Sequence, residues 1–139
     1  MYLVDTSVWI HGLRPEGSGA IRSRLRPLIV AGETAIIEWI ILELMTGLRG
    51  NERRASLLRA LAPVQRLPEY STDWRQIWER AWDNAASLRN RGVSPTAADY
   101  LIATIAIQYK VPLIHCDSDF ETMKRALPLQ TVDWSREIR

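Results

Sequence analysis

Residues 111–117, Val111-Pro112-Leu113-Ile114-His115-Cys116-Asp117, form a short apolar stretch that ends in an acid. Residues 2–5, Tyr2-Leu3-Val4-Asp5, have the same form near the start of the chain. Short apolar runs that alternate with segments of helical spacing predict buried parallel strands joined by helices. Acids that follow such strands lie at the carboxyl edge of the sheet, where open α/β sheets bind their ligands. The two stretches therefore predict an α/β fold with a ligand site at that edge.

Strand-length and helix-length segments alternate along the rest of the chain as well. This alternation predicts a three-layer α/β/α sandwich around a mostly parallel sheet of roughly five strands. Strands are expected at 2–4, 34–37, 64–67, 111–115 and 129–132, and helices at 18–31, 38–48, 51–61, 71–91, 95–109 and 118–126.

Capping residues predict where three of these helices begin. Asn51 is expected to cap the helix over 51–61, and Ser71 or Thr72 the long helix that follows. Ser94 is expected to cap the next helix, with Pro95 in its first turn.

The long helix carries tryptophan at three positions spaced by four residues, Trp74, Trp78 and Trp82. They recur with Ile77 and Leu88 in a helical pattern. We expect this stripe to face the core rather than to serve as a platform on which nucleotide bases stack.

Composition is typical of one globular domain, residues 1–139. Hydrophobic residues make up 47% of the 139 positions and charged residues 24%. No apolar run approaches the length of a membrane span, and residues 1–5 lack the pattern of a signal peptide. The one cysteine, Cys116, excludes an internal disulfide and a cysteine-based zinc site. We expect a cytoplasmic protein with no membrane partner.

Arginine dominates the positive charge, because lysine occurs only at Lys110 and Lys124 among 18 basic residues. Guanidinium groups favour bidentate contacts with phosphate and carboxylate, which suits a nucleic acid or an acidic protein as partner. High-GC genomes also favour arginine codons. The net charge is only +2, so composition leaves the partner open.

Two further acids lie in apolar segments: Glu43 within 39–45 and Asp99 within 97–103. An unpaired buried carboxylate is costly unless it takes up a proton or finds a cation. Hard divalent ions such as Mg²⁺ or Mn²⁺ prefer oxygen ligands. We therefore predict that Asp5, Glu43, Asp99 and Asp117 converge on such an ion.

Taken singly, most of these acids have an ordinary structural explanation. Asp5, Asp117 and Asp119 are each placed to cap a helix, and Asp99 lies in a first turn, where the helix dipole favours negative charge. Glu43 has no capping role. Glu38 competes with it, but five residues separate the two, so they do not share a helical face.

Four motifs, in order, resemble those of VapC-type PIN domains. The resemblance covers about residues 2–133 and implies a PIN-like fold. The motifs are Val4-Asp5-Thr6-Ser7-Val8-Trp9-Ile10, Ile41-Leu42-Glu43-Leu44-Met45-Thr46-Gly47, Asp99-Tyr100-Leu101-Ile102-Ala103 and His115-Cys116-Asp117-Ser118-Asp119-Phe120.

This resemblance implies the toxin component of a type II toxin–antitoxin system, a metal-dependent endoribonuclease whose products carry a 5′-phosphate and a 3′-hydroxyl. Glu38 departs from the family pattern, which has a small, apolar or proline residue there. The number of ions, and the choice between Asp117 and Asp119 as fourth acid, stay open. The family pattern assigns catalysis and metal binding to Asp5, Glu43, Asp99 and Asp117, with Thr6, Ser7 and Asp119 in support.

The resemblance also implies partners. VapC-like toxins form homodimers and are neutralised by a small VapB-like antitoxin, whose tail would place a basic side chain among the acids. The RNA substrate, with tRNA as first candidate, would meet arginines that are otherwise ordinary solvated residues. These candidates are Arg22, Arg24, Arg26, Arg53 and Arg54.

Three alternatives keep parts of this pattern. A catalytically silent PIN scaffold would bind RNA or a protein partner without cutting, and a related nuclease would cut DNA. A phospho-receiver-like signalling domain needs a lysine after a late strand, which neither Lys110 nor Lys124 provides. A metal-free ribonuclease would need two cooperating histidines, but we expect His115 in the core or at a strand edge and His11 in a surface loop.

Overall fold

The computed structural model describes residues 1–89, 91–92 and 95–138 and contains a five-stranded parallel sheet. The predicted α/β fold with about five parallel strands is confirmed. The strands lie in the order β3-β2-β1-β4-β5, and their bounds are Tyr2–Val4 (β1), Thr34–Ile36 (β2), Gln65–Arg66 (β3), Leu113–His115 (β4) and Thr131–Asp133 (β5).

Seven α-helices and one 3₁₀-helix connect and flank these strands. Right-handed crossovers place α1–α4 on one face of the sheet and α5–α7 on the other. No helix in the described part of the chain is both long and apolar enough to cross a bilayer. The helices are Thr6–Leu13 (α1), Gly19–Val30 (α2), Glu38–Thr46 (α3), Arg54–Leu61 (α4), Trp74–Leu88 (α5), Ala97–Tyr109 (α6), Ser118–Met123 (α7) and the 3₁₀-helix Ser135–Ile138.

The order of the strands reverses between β1 and β4. From β1 the chain moves outward to β2 and β3, then crosses back through α5 and α6 to β4 on the other side of β1. Leu3 in β1 pairs with Ala35 on one side and Leu113 on the other. Helices diverge at such a reversal and leave a crevice beyond the carboxyl ends of the strands. Asp5 and Asp117 follow β1 and β4 at this crevice, as the sequence predicted.

Buried aliphatic side chains from the sheet and both helical layers form the core. All three residues of β2 and of β4 are buried, which is why these strands are almost continuously apolar in sequence. Trp9 of α1 is fully buried, and its Nε1 donates to the carbonyl of Val4 at 3.0 Å. This bond fixes α1 against the end of β1, from which Asp5 projects.

The predicted start of α4 is wrong. This helix begins at Arg54, not at Asn51, and Arg53 caps it without a side-chain hydrogen bond. Asn51 instead belongs to a turn in which the Glu52 carboxylate accepts from the amide of Arg49 at 2.8 Å.

The predicted cap of α5 is also wrong, because Asp73 takes that role. Its carboxylate accepts from the amide of Arg75 at 3.0 Å. The Thr72 hydroxyl is used elsewhere, in a 2.7 Å hydrogen bond with the hydroxyl of Tyr109. Thr96 caps α6, and the predicted cap Ser94 lies outside the described residues.

The tryptophan stripe of α5 does not lie in the core, contrary to our expectation. Trp74, Trp78 and Trp82 are 42%, 41% and 64% exposed, whereas Ile77 and Leu88 are buried. Ile77, Ala81 and Leu88 define the buried side of α5, and the tryptophans follow one flank of it. A helical period alone does not identify which flank a neighbouring helix covers.

His11 lies in helix α1 rather than in the surface loop we expected. Its Nδ1 accepts from the backbone amide of Ser18 at 3.1 Å, which ties the end of α1 to the start of α2. His115 is fully buried, and the expected position in the core or at a strand edge is confirmed as a core position.

Candidate metal centre

Three carboxylates meet at the crevice beyond β1 and β4. Asp99, Asp117 and Asp119 each offer an oxygen atom, and these oxygens lie within 4.8 Å of one another. All three side chains are half-buried. A compact set of oxygen donors with access to water suits Mg²⁺ or Mn²⁺, which keep some of their water ligands.

The turn after β4 presents two of these acids together. Asp117 caps α7, and its Oδ1 accepts from the backbone amide of Asp119 at 2.9 Å. The amide of Asp117 itself donates to Nδ1 of His115 at 3.0 Å. The sequence left Asp117 and Asp119 as alternatives, and the structure brings both to the same cluster.

Asp99 enters the cluster from the first turn of α6. It forms a capping box with Thr96: the Thr96 amide donates to the Asp99 carboxylate at 2.9 Å, and the Asp99 amide donates to the Thr96 hydroxyl at 3.3 Å. Burial raises the pKa of Asp99, and the negative charges of Asp117 and Asp119 raise it further. The two Thr96 bonds lower that pKa in part.

Asp5 is 5% exposed and lies within electrostatic range of Asp99. Burial raises the pKa of Asp5, and the charge of Asp99 adds to this effect. The Ser7 hydroxyl, 2.6 Å from Oδ2, and the Ser7 amide, at 3.1 Å, both donate to Asp5 and lower its pKa in part. The Ser7 oxygen also accepts from the amide of Cys116 at 3.0 Å. Ser7 therefore joins the ends of β1 and β4 and fixes the Asp5 carboxylate between them.

Glu43 is connected to this region through Thr6. The Thr6 hydroxyl donates to Oε1 of Glu43 at 2.8 Å, which brings α3 to the start of α1. Glu38 has a different environment: its side chain is 70% exposed and pairs with Arg66 at 3.2 Å. The geometry therefore favours Glu43 over Glu38 as the family glutamate. Neither belongs to the tight group of three formed by the described acids.

Among the described residues, no basic side chain forms an ion pair with the clustered acids. In the described part of the chain, the ion pairs join Arg14 to Glu52, Arg24 to Glu137, Arg66 to Glu38, and His115 and Lys124 to Glu121, and none includes the clustered acids. A divalent cation would relieve both the desolvation and the mutual repulsion of these carboxylates. The donor set therefore fits Mg²⁺ or Mn²⁺.

The candidate arginines fall into two groups. Arg22 donates to the carbonyls of Arg14 and Gly17, and Arg24 pairs with Glu137 and lies 4.5 Å over the ring of Trp134. These contacts give Arg22 and Arg24 structural roles. Exposed side chains that remain available to a phosphate chain include Arg26, Arg53 and Arg54.

Sequence comparison identifies the family. The PIN domain model matches residues 2–126. The chain is 32% identical over 136 residues to Ribonuclease VapC21 of Mycobacterium tuberculosis, which covers 96% of this chain and 92% of the relative. It is 29% identical over 136 residues to Ribonuclease VapC11 of the same organism, covering 96% and 99%.

Solved structures support the same fold. VapBC2 from Rickettsia felis, bound to a DNA fragment from its promoter, matches with a TM-score of 0.74 and 20% identity, covering 96% of this chain and 98% of that one. FitAcB from Neisseria gonorrhoeae matches with a TM-score of 0.70 and 19% identity, covering 96% and 97%. The family model and the sequence relatives establish that the chain belongs to the PIN domain family and is of the VapC type.

Proposed function

We propose that this VapC-type PIN domain is a Mg²⁺- or Mn²⁺-dependent endoribonuclease and the toxin of a VapBC-like pair. The observation that carries the proposal is the convergence of Asp99, Asp117 and Asp119 to within 4.8 Å beside the buried Asp5. The names of the relatives, Ribonuclease VapC21 and VapC11, support RNA as the substrate. An RNA substrate is consistent with action in the cytoplasm.

The acids would have different roles in metal binding according to their position. Asp5, Glu43 and Asp99 would hold the ion and orient its waters, and Asp117 with Asp119 would hold a second ion or a bridging water. When bound, the metal supplies charge stabilisation at the phosphate and a water of lowered pKa. Ser7 and Thr6 act through the acids, because their hydroxyls fix the carboxylates of Asp5 and Glu43. We expect products with a 5′-phosphate and a 3′-hydroxyl.

Metal removal tests this proposal directly. We expect RNA cleavage by the purified protein to fall to background in excess EDTA and to return when Mg²⁺ or Mn²⁺ is added beyond the chelator. The physical reason is that, without the metal, the five acids would repel the phosphate that they must approach. Undiminished cleavage in EDTA would contradict the proposal. A metal-bound protein that cleaves no RNA would favour the alternative of a silent scaffold, and cleavage of DNA alone would correct the substrate class.

Glu43 and Glu38 provide a matched pair of variants in the same helix. We expect Glu43→Gln to lower cleavage by about tenfold or more, because the neutral amide attracts a cation and its waters more weakly. Glu38→Gln should change cleavage by less than about twofold, since an exposed pair such as Glu38–Arg66 contributes little. Initial rates at a Mn²⁺ concentration near the dissociation constant of the wild type measure both effects. The reverse order would reassign the family glutamate to Glu38.

We propose tRNA as the first substrate to examine, on the resemblance alone. Arg26, Arg53 and Arg54 are the exposed arginines that would contact its backbone. Binding through such contacts should weaken steeply as salt concentration rises, because each neutralised phosphate releases counterions. Cleavage of a total RNA preparation, followed by sequencing of the new 5′ ends, would identify the substrate.

We also propose that the protein forms a homodimer and that α5 contributes to the dimer interface. Trp74, Trp78 and Trp82, here called the tryptophan face, lie exposed along one flank of this helix. The face continues toward α3, because Trp74 lines a surface pocket together with Glu38 and Tyr70. Large exposed aromatic groups in one area indicate an interaction site.

A VapB-like antitoxin is the second proposed partner, and a groove between α1, α3 and α4 offers it an apolar surface. The groove has a volume of about 340 Å³. Charged groups at its edge, Arg14, Glu52 and Arg53, would select a partner segment with matching charges. Its lining includes Trp9, Ile10, Leu13, Leu44, Leu48 and Leu57. An amphipathic helix is the segment that fits such a groove, and its continuation could bring a basic side chain to the acids.

A further inference from the structure

His115, the last residue of β4, has both of its ring nitrogens engaged although it is fully buried. Nδ1 lies 3.0 Å from the backbone nitrogen of Asp117, and Nε2 lies 3.2 Å from Oε1 of Glu121. The ring also packs against Phe120, with 5.3 Å between centroids. Packing alone does not require either polar contact, so the imidazole has a role beyond filling space.

These contacts define which nitrogen carries the proton. A backbone N–H only donates, so Nδ1 must present a lone pair to Asp117. Nε2 then carries the hydrogen and donates it to the Glu121 carboxylate. Glu121 is itself fixed, because Oε1 also accepts from the hydroxyl of Thr131 at 2.8 Å and Oε2 lies 3.9 Å from Lys124. The imidazole is thereby oriented from both sides.

The orientation extends to the metal-binding acids. His115 fixes the Asp117 amide, and the Asp117 carboxylate in turn accepts from the amide of Asp119. A continuous chain of hydrogen bonds therefore runs from Thr131 on the outer strand β5, through Glu121 and His115, to both acids. Groups that orient the ligands of a metal typically change its affinity 10–100-fold when they are lost.

We propose that His115, held by Glu121, is a positioning residue that presents Asp117 and Asp119 to the metal in the correct geometry. The inference rests on the proposed metal-dependent function. Sequence reasoning missed Glu121, because its contact with His115 joins α7 to β4 and depends on the fold of the turn between them. The only signal in the sequence was a histidine two residues before the acid.

Two substitutions at His115 separate positioning from packing. Asparagine at this position keeps a side-chain oxygen near the place of Nδ1, so His115→Asn retains an acceptor for the Asp117 amide. Glutamine reaches further and keeps a donor for Glu121, so His115→Gln loses that acceptor. Both replacements remove the aromatic ring and its contact with Phe120. A role in packing alone would therefore affect both variants in the same way.

The experiment measures Mn²⁺ affinity by electron paramagnetic resonance and the hydrogen exchange of the Asp117 amide by NMR in the metal-free protein. We expect His115→Gln to raise the Mn²⁺ dissociation constant at least tenfold and to speed exchange of the Asp117 amide at least tenfold. His115→Asn keeps the acceptor for the Asp117 amide but loses the contact with Glu121, so we expect a smaller loss of Mn²⁺ affinity, about fivefold, and exchange of the Asp117 amide within about threefold of the wild type. Nitrogen chemical shifts should show the proton of the wild-type ring on Nε2.

Glu121→Ala provides a second variant outside the core, and Arg125→Ala, at an exposed residue just past the end of α7, is its control. We expect Glu121→Ala to weaken Mn²⁺ binding about fivefold or more, and Arg125→Ala to leave it unchanged. Equal Mn²⁺ affinity in all four variants and the wild type would overturn the positioning role. A wild type that binds no Mn²⁺ would instead overturn the proposed function, while the exchange of the Asp117 amide would still test the contact with His115.

Discussion

Asp99→Asn is expected to reduce RNA cleavage about a thousandfold or more, which corresponds to roughly 4 kcal/mol of transition-state stabilisation. Asp99 interacts electrostatically with three other acids of the site. Its negative charge raises the pKa of Asp5, and the charges of Asp117 and Asp119 raise the pKa of Asp99. Asparagine retains the size of the side chain and an oxygen that accepts from the Thr96 amide. The loss should therefore reflect the missing charge and not a damaged helix start.

The same substitution should stabilise the metal-free protein, by about 1 kcal/mol. Burial and repulsion raise the pKa of Asp99 in the folded state, so the folded protein holds that proton more tightly than the unfolded chain. Wild-type stability should therefore fall as pH rises from the ordinary aspartate pKa through the raised one. Asp99→Asn should lose less stability across this range, and Asp5→Asn should behave in the same way, because the pKa of Asp5 is raised too.

Thermal unfolding at several pH values in EDTA measures the stability effect, and initial cleavage rates in Mn²⁺ measure the catalytic one. Asp73→Asn is the matched control, since Asp73 is an exposed cap of α5 and asparagine caps a helix equally well. It should leave both quantities unchanged. Full activity in Asp99→Asn, or a metal-free variant less stable than the wild type at neutral pH, would contradict the role assigned to this acid.

The fold class and the place of the candidate metal site were predicted from short-range features of the sequence. Buried parallel strands are apolar on both faces, so β1 and β4 were visible as runs, and the acids directly after them marked the edge where ligands bind. Asp99 was visible because a charged group interrupts an apolar helix face. The strand order that brings Asp5 beside Asp99 and Asp117 depends on crossovers, which local patterns do not encode.

The wrong predictions for the helix caps and the tryptophan stripe, and the missed contact of His115, come from interactions that local sequence patterns do not specify. Asn51, Ser71 and Thr72 are all good capping residues, yet competition among nearby polar groups gave the α5 cap to Asp73 and the Thr72 hydroxyl to Tyr109. The contact between His115 and Glu121 joins two elements through a folded turn, and no spacing rule predicts it. Likewise, the exposed tryptophans follow a helical period that resembles a core pattern, because helical spacing alone does not distinguish a buried flank from an exposed one.

Trp78→Glu is expected to convert the protein from a dimer to a monomer, with a rise in the dimer dissociation constant of about a hundredfold or more. The three rings of the tryptophan face expose on the order of 350 Å², which is less than the roughly 800 Å² that each partner buries in a stable complex. The interface must therefore extend beyond α5. The start of α3 adjoins Trp74 through Glu38, so the exposed residues Trp39 and Leu42 of this helix are candidates for further apolar area.

Trp78 is suited to this test because its ring packs on that of Trp74, with 5.9 Å between centroids, while 41% of it stays exposed. A glutamate at this position would be buried as an unpaired charge in the dimer interface. In the folded monomer the same carboxylate would stay in contact with water, so the monomer should remain folded. Val30→Glu is the control, since Val30 is 82% exposed at the end of α2, a helix that does not line the pocket beside Trp74. Sedimentation velocity should show dimers for the wild type and Val30→Glu, and monomers for Trp78→Glu. A dimeric Trp78→Glu variant, or a monomeric wild type, would contradict the assignment of the tryptophan face to a dimer interface. Weaker RNA binding by Trp78→Glu without a change in mass would instead identify this face as a surface for stacking nucleotide bases.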